Sequence, residues 1–143
     1  QNAVDVCYAL LSTLSQAGVA TSVVTFSTYV SVLKPWNMTH QKAKGLLECL
    51  DANGGTNDYG AVNYAHGMLY RRPEQRKVCF VLTDGEGDPD ATRQQCESGA
   101  RLGVTTIGIG IQQNVHGVYP NAVRIDNLAD MGTVAFTKLK LAA

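Results

Sequence analysis

An excess of charge of either sign is missing from this sequence, in which twelve basic residues balance twelve acidic ones for a formal net charge of +0. That balance removes any overall attraction to nucleic acid or to an anionic membrane, so binding has to come from a local site. No run approaches the roughly 18 consecutive apolar residues of a membrane span. The opening QNAVDVCYAL has no basic stretch followed by an apolar core and a cleavage site, and the expectation is a soluble chain. Cysteine pairs are missing too. Cys7, Cys49, Cys79 and Cys96 are widely separated inside apolar patterns, with no C-x-x-C and no dense framework. They read as reduced core residues of a cytoplasmic protein, with a single bridge left open. Neither a G-x-S-x-G elbow nor a phosphate loop occurs, and GIGIG lacks the G-x-G-x-x-G spacing. A nucleophilic hydrolase and a dinucleotide-binding enzyme are therefore poorly supported.

What is present suits one globular domain over residues 1–143, with 45% hydrophobic and 17% charged residues. Val4, Cys7, Leu10, Leu11 and Leu14 form one helical stripe that stops at Gly18. Residues 19–26 and 29–33 are rich in β-branched side chains and read as a hairpin closed by Pro35. Thr39 can cap a helix carrying Ala43, Leu46, Leu47 and Leu50, before the turn-forming stretch DANGGTND. A further helix from Asp58 puts Ala61, Val62, Ala65, Met68 and Leu69 on one face. Residues 78–82 are apolar without alternation, the pattern of a strand covered on both faces. Asp88 followed by Pro89 predicts a helix start, and that helix runs to Gly103. VTTIGIGI and AVRI read as strands, and a last helix carries Leu128, Met131, Ala135 and Leu139 on its inner side.

Apolar strands alternating with amphipathic helices predict an α/β fold of three layers, Rossmann-like, with a mostly parallel central sheet, one antiparallel edge strand and helices on both faces. In such sheets ligands sit where strands deliver their carboxyl ends. Asp84, Glu86 and Asp88 crowd one such end. Thr56, in a glycine-rich loop before a helix, and Asp84 are oxygen donors of the kind a hard divalent cation takes. The simpler reading is that Asp84 ends a strand while Asp88 and Thr56 cap helices. His40, His66 and His116 show no ligand spacing. Arg71, Arg72, Arg76 and Lys77 read as a solvated connector interrupted by Glu74, and Trp36 as a cover for the hairpin edge.

GGTND opening a helix, VLTDGEGDP closing a central strand and VTTIGIGI forming the next one together resemble the von Willebrand factor A domain. RPEQRKVCFVLTDG, TIGIGI and YPNAVRIDNLADM are similar to the carboxy-terminal A domain of the cobaltochelatase CobT subunit. The resemblance implies a metal-ion-dependent adhesion site in which Thr56 and Asp84 match the threonine and aspartate ligands of Mg²⁺ or Mn²⁺. It implies a non-catalytic module that binds a protein partner, such as the AAA+ ATPase subunit of a chelatase complex. The family's Asp-x-Ser-x-Ser motif does not occur in this sequence. The central first strand that precedes that motif in the family is also missing. Several large apolar side chains on such a strand would contribute about 1.5 to 3 kcal/mol each, against a net domain stability of about 5 to 15 kcal/mol. The expectation is that an upstream segment of the native protein supplies both. The alternative is a structural A-type domain whose site has decayed.

Overall fold

The computed structural model describes residues 3–26, 30–48, 58–83, 88–127 and 130. Its elements in chain order are α1 (Ala3–Gln16), β1 (Val23–Phe26), β2 (Val30–Lys34), α2 (His40–Glu48), α3 (Asp58–Tyr70), β3 (Lys77–Thr83), α4 (Pro89–Arg101), β4 (Val104–Ile111) and β5 (Ala122–Ile125). The predicted alternation of strands and helices is present. The last predicted helix, with Met131, Ala135 and Leu139, lies outside the described residues.

β3, β4 and β5 form a parallel sheet with β4 in the middle, while β1 and β2 form a separate antiparallel pair. The period of two along β4 divides its side chains cleanly between two layers. Ile109 and Ile111 join Phe80, Leu82, Val123 and Ile125 on the face covered by Val6, Leu10 and Leu14 of α1. Val104 points to the other face, with Cys79 and Val81, against Val62, Ala65 and Leu69 of α3. Both faces of β4 are buried, which explains a strand sequence without polar alternation.

Gly108 and Gly110 lie on that second face because the loop after β4 folds back over it. A Cβ on Gly108 would stand 2.6 Å from Cγ of Tyr119, and one on Gly110 would run into the backbone of Gln113. Tyr119 and Val115 fill the room the glycines leave, and both are buried. The isoleucine and glycine alternation of TIGIGI therefore records two different packing surfaces on one strand.

The helix boundaries follow their end groups. Gly18 and Gly103 adopt φ of 80° and 82°, the left-handed conformation that ends a helix at little cost in glycine. The Thr39 hydroxyl accepts from the Lys42 amide at 3.3 Å and its carbonyl from the Ala43 amide at 3.1 Å, so α2 starts at His40. Asp88 caps α4, accepting from the amides of Asp90 at 3.0 Å and Ala91 at 3.4 Å, with Pro89 in the first turn.

Three details differ from the sequence reading. The first hairpin strand begins at Val23, since residues 19–22 form the approach from α1, where Thr21 is buried. Leu46 is an exposed residue of α2, because this short helix buries Ala43 against Leu11 and presents Leu46 away from it. α4 ends at Arg101, two residues before Gly103.

The two sheets share their covering helices but no strand pairing among the described residues. α1 contacts the hairpin through Val23 and Leu33 as well as the parallel sheet, and α3 packs on both β1 and β3. Between β1 and β3 runs an apolar slot of about 910 Å³, roofed by Val4, Leu11 and Leu14 and floored by Ala61 and Ala65.

Replacing Gly108 with alanine is expected to destabilise the fold by about 1 to 3 kcal/mol, because the new methyl group overlaps the Tyr119 ring in a packed interior. Urea unfolding of Gly108→Ala beside a Gly117→Ala control, whose Cβ meets nothing within 4 Å, measures it.

Candidate functional site

The carboxyl ends of the three parallel strands define one rim of the sheet. The register aligns Thr83 of β3 with Gly110 of β4 and Gly110 with Arg124 of β5, so these residues form one row across the sheet. Beyond the row, Gln112 takes a left-handed φ of 58° and its amide donates to the Ile125 carbonyl at 2.7 Å. Arg124 Nε donates to Asp126 Oδ1 at 2.8 Å, an exposed pair in which high solvent screening leaves little net stabilisation. α4 begins on the chain that leaves β3, with Asp88 at its amino end.

Both predicted ligands, Thr56 and Asp84, lie outside the described residues, and so do Gly85, Glu86 and Gly87. The described chain reaches Thr83 and resumes at Asp88. In the sequence, Asp84 is the residue after the last of β3, and Thr56 stands two residues before Asp58, where α3 begins. Of the three crowded carboxylates, Asp88 is used as a helix cap, as the simpler reading predicted. Among the described residues no group of three His, Cys, Asp or Glu side chains could hold a metal ion.

A second polar cluster lies inside the protein, where sequence reasoning assigned no role. His66 of α3 is 2% exposed, and its Nε2 lies 2.8 Å from Oγ1 of Thr106 on β4. Gly99 of α4 presses against the same ring; a Cβ there would come within 2.6 Å of His66 Cε1. One signal was available in the sequence, since a histidine on the apolar stripe of a helix needs a buried polar partner. The partner, forty residues away on a strand, was not legible. Burial lowers the His66 pKa below its ordinary value.

Lys34 is a second buried titratable group among the described residues that the sequence did not reveal. It ends β2 at 2% exposure, and its Nζ donates to the carbonyls of Thr21 and Pro35. Burial holds its pKa below the ordinary lysine value. Cys7 and Cys79 are poor candidates for chemistry. Burial pushes the Cys79 thiol up to about 12 and the Cys7 thiol to about 11, so neither forms the thiolate that nucleophilic attack or metal ligation requires at neutral pH. Cys7, Cys79 and Cys96 are free thiols, Cys79 buried and the other two half-buried. Arg72 packs over Trp36 at 4.7 Å and pairs with Glu74, which places the basic connector and the tryptophan together at the surface.

Residues 1–86 match the family described as the von Willebrand factor type A domain. None of the curated proteins matches the chain. Among solved structures, the chain is similar to an aerotolerance-related membrane protein of Bacteroides fragilis carrying multiple mutations to serine, with a TM-score of 0.77 and 14% identity over 96% of this chain and 88% of that one. It is similar also to the conserved hypothetical protein BatB of Bacteroides thetaiotaomicron, with a TM-score of 0.77 and 16% identity over 97% and 87% of the two chains. A von Willebrand factor type A protein of Catenulispora acidiphila gives 0.72 and 19% identity, covering 98% of this chain and 37% of that one. At these identities the structural likeness carries the fold.

The lowered His66 pKa fixes the sign of a pH effect. Between the depressed folded value and about 6.5, the ordinary histidine pKa, the unfolded chain binds more protons than the folded one, so stability rises with pH across that interval. The contribution is complete above about 6.5 and is lost as pH falls toward the folded value. Urea midpoints measured from pH 7.5 to 5 are expected to fall more steeply for the natural chain than for His66→Gln.

Proposed function

The chain belongs to the von Willebrand factor type A domain family, and from that premise we propose that it is a non-catalytic protein-interaction module which recognises a partner carboxylate through a divalent cation. The observation that carries the reading is the end of β3 at Thr83, on the carboxyl rim of a parallel sheet. Asp84 is the next residue in the sequence, and α/β folds bind their ligands at such a rim.

The donor chemistry fits Mg²⁺ or Mn²⁺. Thr56 offers a hydroxyl and Asp84 a carboxylate, both hard oxygen donors, and Mg²⁺ is typically held by one or two carboxylates while keeping several waters. A bound cation supplies positive charge to an incoming Asp or Glu of the partner. The protein's own part in this reading is to supply these two oxygens, while Asp88 is engaged as the cap of α4. The upstream Asp-x-Ser-x-Ser segment expected from the family would complete the donor set.

The finer assignment is a chelatase-type assembly, supported by RPEQRKVCFVLTDG, TIGIGI and YPNAVRIDNLADM. In it the domain is a cytoplasmic, non-catalytic part of a Mg²⁺- and ATP-dependent complex, and the partner is an AAA+ ATPase subunit that hydrolyses the nucleotide. A second reading, a structural A-type domain with a decayed site, is favoured by one observation: a carboxylate of the 84–88 run, Asp88, is already spent on a helix cap.

The test uses the native full-length protein and its copurifying partner. Asp84→Ala is expected to weaken partner binding at least tenfold in the presence of Mg²⁺, to match the effect of a chelator on the natural protein, and to leave the unfolding midpoint nearly unchanged. Binding that is indifferent to both chelator and Asp84→Ala favours the structural reading.

A further inference from the structure

Helix α3 turns an unusual side to solvent. Ala61, Val62, Ala65, His66 and Leu69 form its inner side. At about 100° per residue, Asn63, Tyr64, Gly67 and Tyr70 fall on the opposite side, and all but the half-buried Gly67 are exposed. Tyr64 and Tyr70, at 48% and 58%, are the two most open large apolar side chains among the described residues. A solvent-facing helical stripe is ordinarily charged, and α4 obeys the rule with Asp90, Arg93, Glu97 and Arg101, all exposed. From Tyr59 to Tyr70, by contrast, there is no Asp, Glu, Lys or Arg. Aromatic side chains presented without charge between them are the composition of an interface core.

Gly67 adds shape to this stripe. A Cβ there would meet only the Arg71 guanidinium, at an ordinary contact distance of 3.9 Å. The packing inside the protein therefore makes no demand for glycine at a helix-interior position, where glycine is less favourable than alanine. The missing side chain leaves a notch on the outside of the helix. Tyr64 stands about one turn before the notch and Arg71 about one turn after it, the Arg71 amide continuing the helical pattern with a bond to the Gly67 carbonyl at 3.4 Å.

The chain leaving α3 brings charge to the same end. Residues 71–77 hold Arg71, Arg72, Arg76 and Lys77 against the single carboxylate of Glu74, in a chain whose formal net charge is +0. Arg72 is taken up by Glu74 and by the ring of Trp36. Lys77 donates to the Tyr70 carbonyl at 3.3 Å and its Nζ stands 5.9 Å from the centre of the Tyr70 ring, so that ring is backed by a cation. Arg71 is exposed and has no carboxylate partner among the described residues.

We infer that the outer face of α3 and the connector after it form a docking surface for an acidic protein segment, which seats an aromatic or aliphatic side chain at the Gly67 notch and sets its carboxylates against Arg71 and the basic residues beside it. Tyrosine and arginine are among the residue types that carry most of the energy at protein interfaces, and the excess of positive charge selects the partner. A phosphate polymer is a poorer match, because neutralising successive phosphates takes an unbroken set of cations and Glu74 interrupts this one. The surface lies apart from the candidate cation site. The connector enters β3 at Lys77, whereas the carboxyl rim is reached at Thr83, about 20 Å further along the strand. The inference goes beyond the cation reading and does not depend on it.

The test presents a library of short random peptides to the native full-length protein in the presence of chelator, so that a failure of the cation reading leaves the result untouched. Enriched peptides are then measured one by one by fluorescence anisotropy. The expected result is enrichment of peptides that carry several carboxylates beside an aromatic or aliphatic residue. Their affinity is expected to fall about tenfold in Tyr70→Ala and in Arg71→Glu, to fall in Gly67→Leu, and to weaken as salt is added. Arg93→Glu, the same charge change on α4, and Asp84→Ala are expected to leave it unchanged. Urea midpoints of Tyr70→Ala, Arg71→Glu and Gly67→Leu are expected to stay at or above that of Arg93→Glu, which separates lost binding from lost folding. No enrichment, enriched peptides without acidic residues, affinity indifferent to Tyr70→Ala and Arg71→Glu, an equal loss in Arg93→Glu, or tighter binding of oligothymidylate or of phosphatidylserine vesicles than of every peptide overturns the inference.

Discussion

Two-sided burial of β4 is the constraint from which the rest of this fold follows. A strand paired on both edges and covered on both faces has no surface for water, so every position along it must satisfy a neighbour in one particular layer. Ile109 and Ile111 do so with bulk toward α1, whereas Gly108 and Gly110 do so by yielding space to Tyr119 and Val115. The parallel register then carries the alignment outward, from Thr83 through Gly110 to Arg124. The rim is therefore a consequence of core packing. Its position is set by side chains that never touch a ligand.

The same principle explains how acidic residues near the rim are divided between structure and chemistry. A helix that begins immediately after a strand brings unsatisfied amides to the sheet edge. Asp88 answers that demand with two hydrogen bonds to α4. Once this carboxylate is committed, it cannot also serve freely as a cation ligand, and the local need for negative charge at the helix amino end is met. In the proposed site the cation falls to Asp84, the residue that follows β3 in the sequence. The selectivity of such a site would come from which oxygen atoms remain available after the backbone has been satisfied.

Local chemistry was the legible part of the sequence. Gly18, Thr39, Asp88 and Gly103 act on amides or torsions within a few residues of themselves, and the structure places helix ends at or next to each of them. The unalternating apolar runs correctly indicated buried parallel strands. Leu46 was misread because α2 is short and its inward face is set by Leu11 of another helix, which a helical period alone cannot specify. His66 with Thr106, and Lys34 with the Thr21 carbonyl, were invisible for a related reason. Each is a buried polar group satisfied by a partner distant in the chain, and sequence shows the demand without the supplier. Thr56 and Asp84 were legible through motif likeness and fall outside the described residues, so the structure bears on them only through the neighbours Thr83 and Asp58.

Helices α1 and α3 hold two sheets that do not pair with each other among the described residues, and this arrangement makes a demand on the free energy of the domain. Backbone groups on a buried strand edge lose their bonds to water, and each one left unsatisfied costs about 1 to 3 kcal/mol. Even a few such groups on β1 and β3 would rival a whole domain's margin of about 5 to 15 kcal/mol. Side-chain packing by α1 and α3 cannot relieve that cost, because leucine and alanine side chains offer neither donors nor acceptors. The helices thus align the hairpin with the parallel sheet through side-chain packing, with no strand pairing between the two among the described residues.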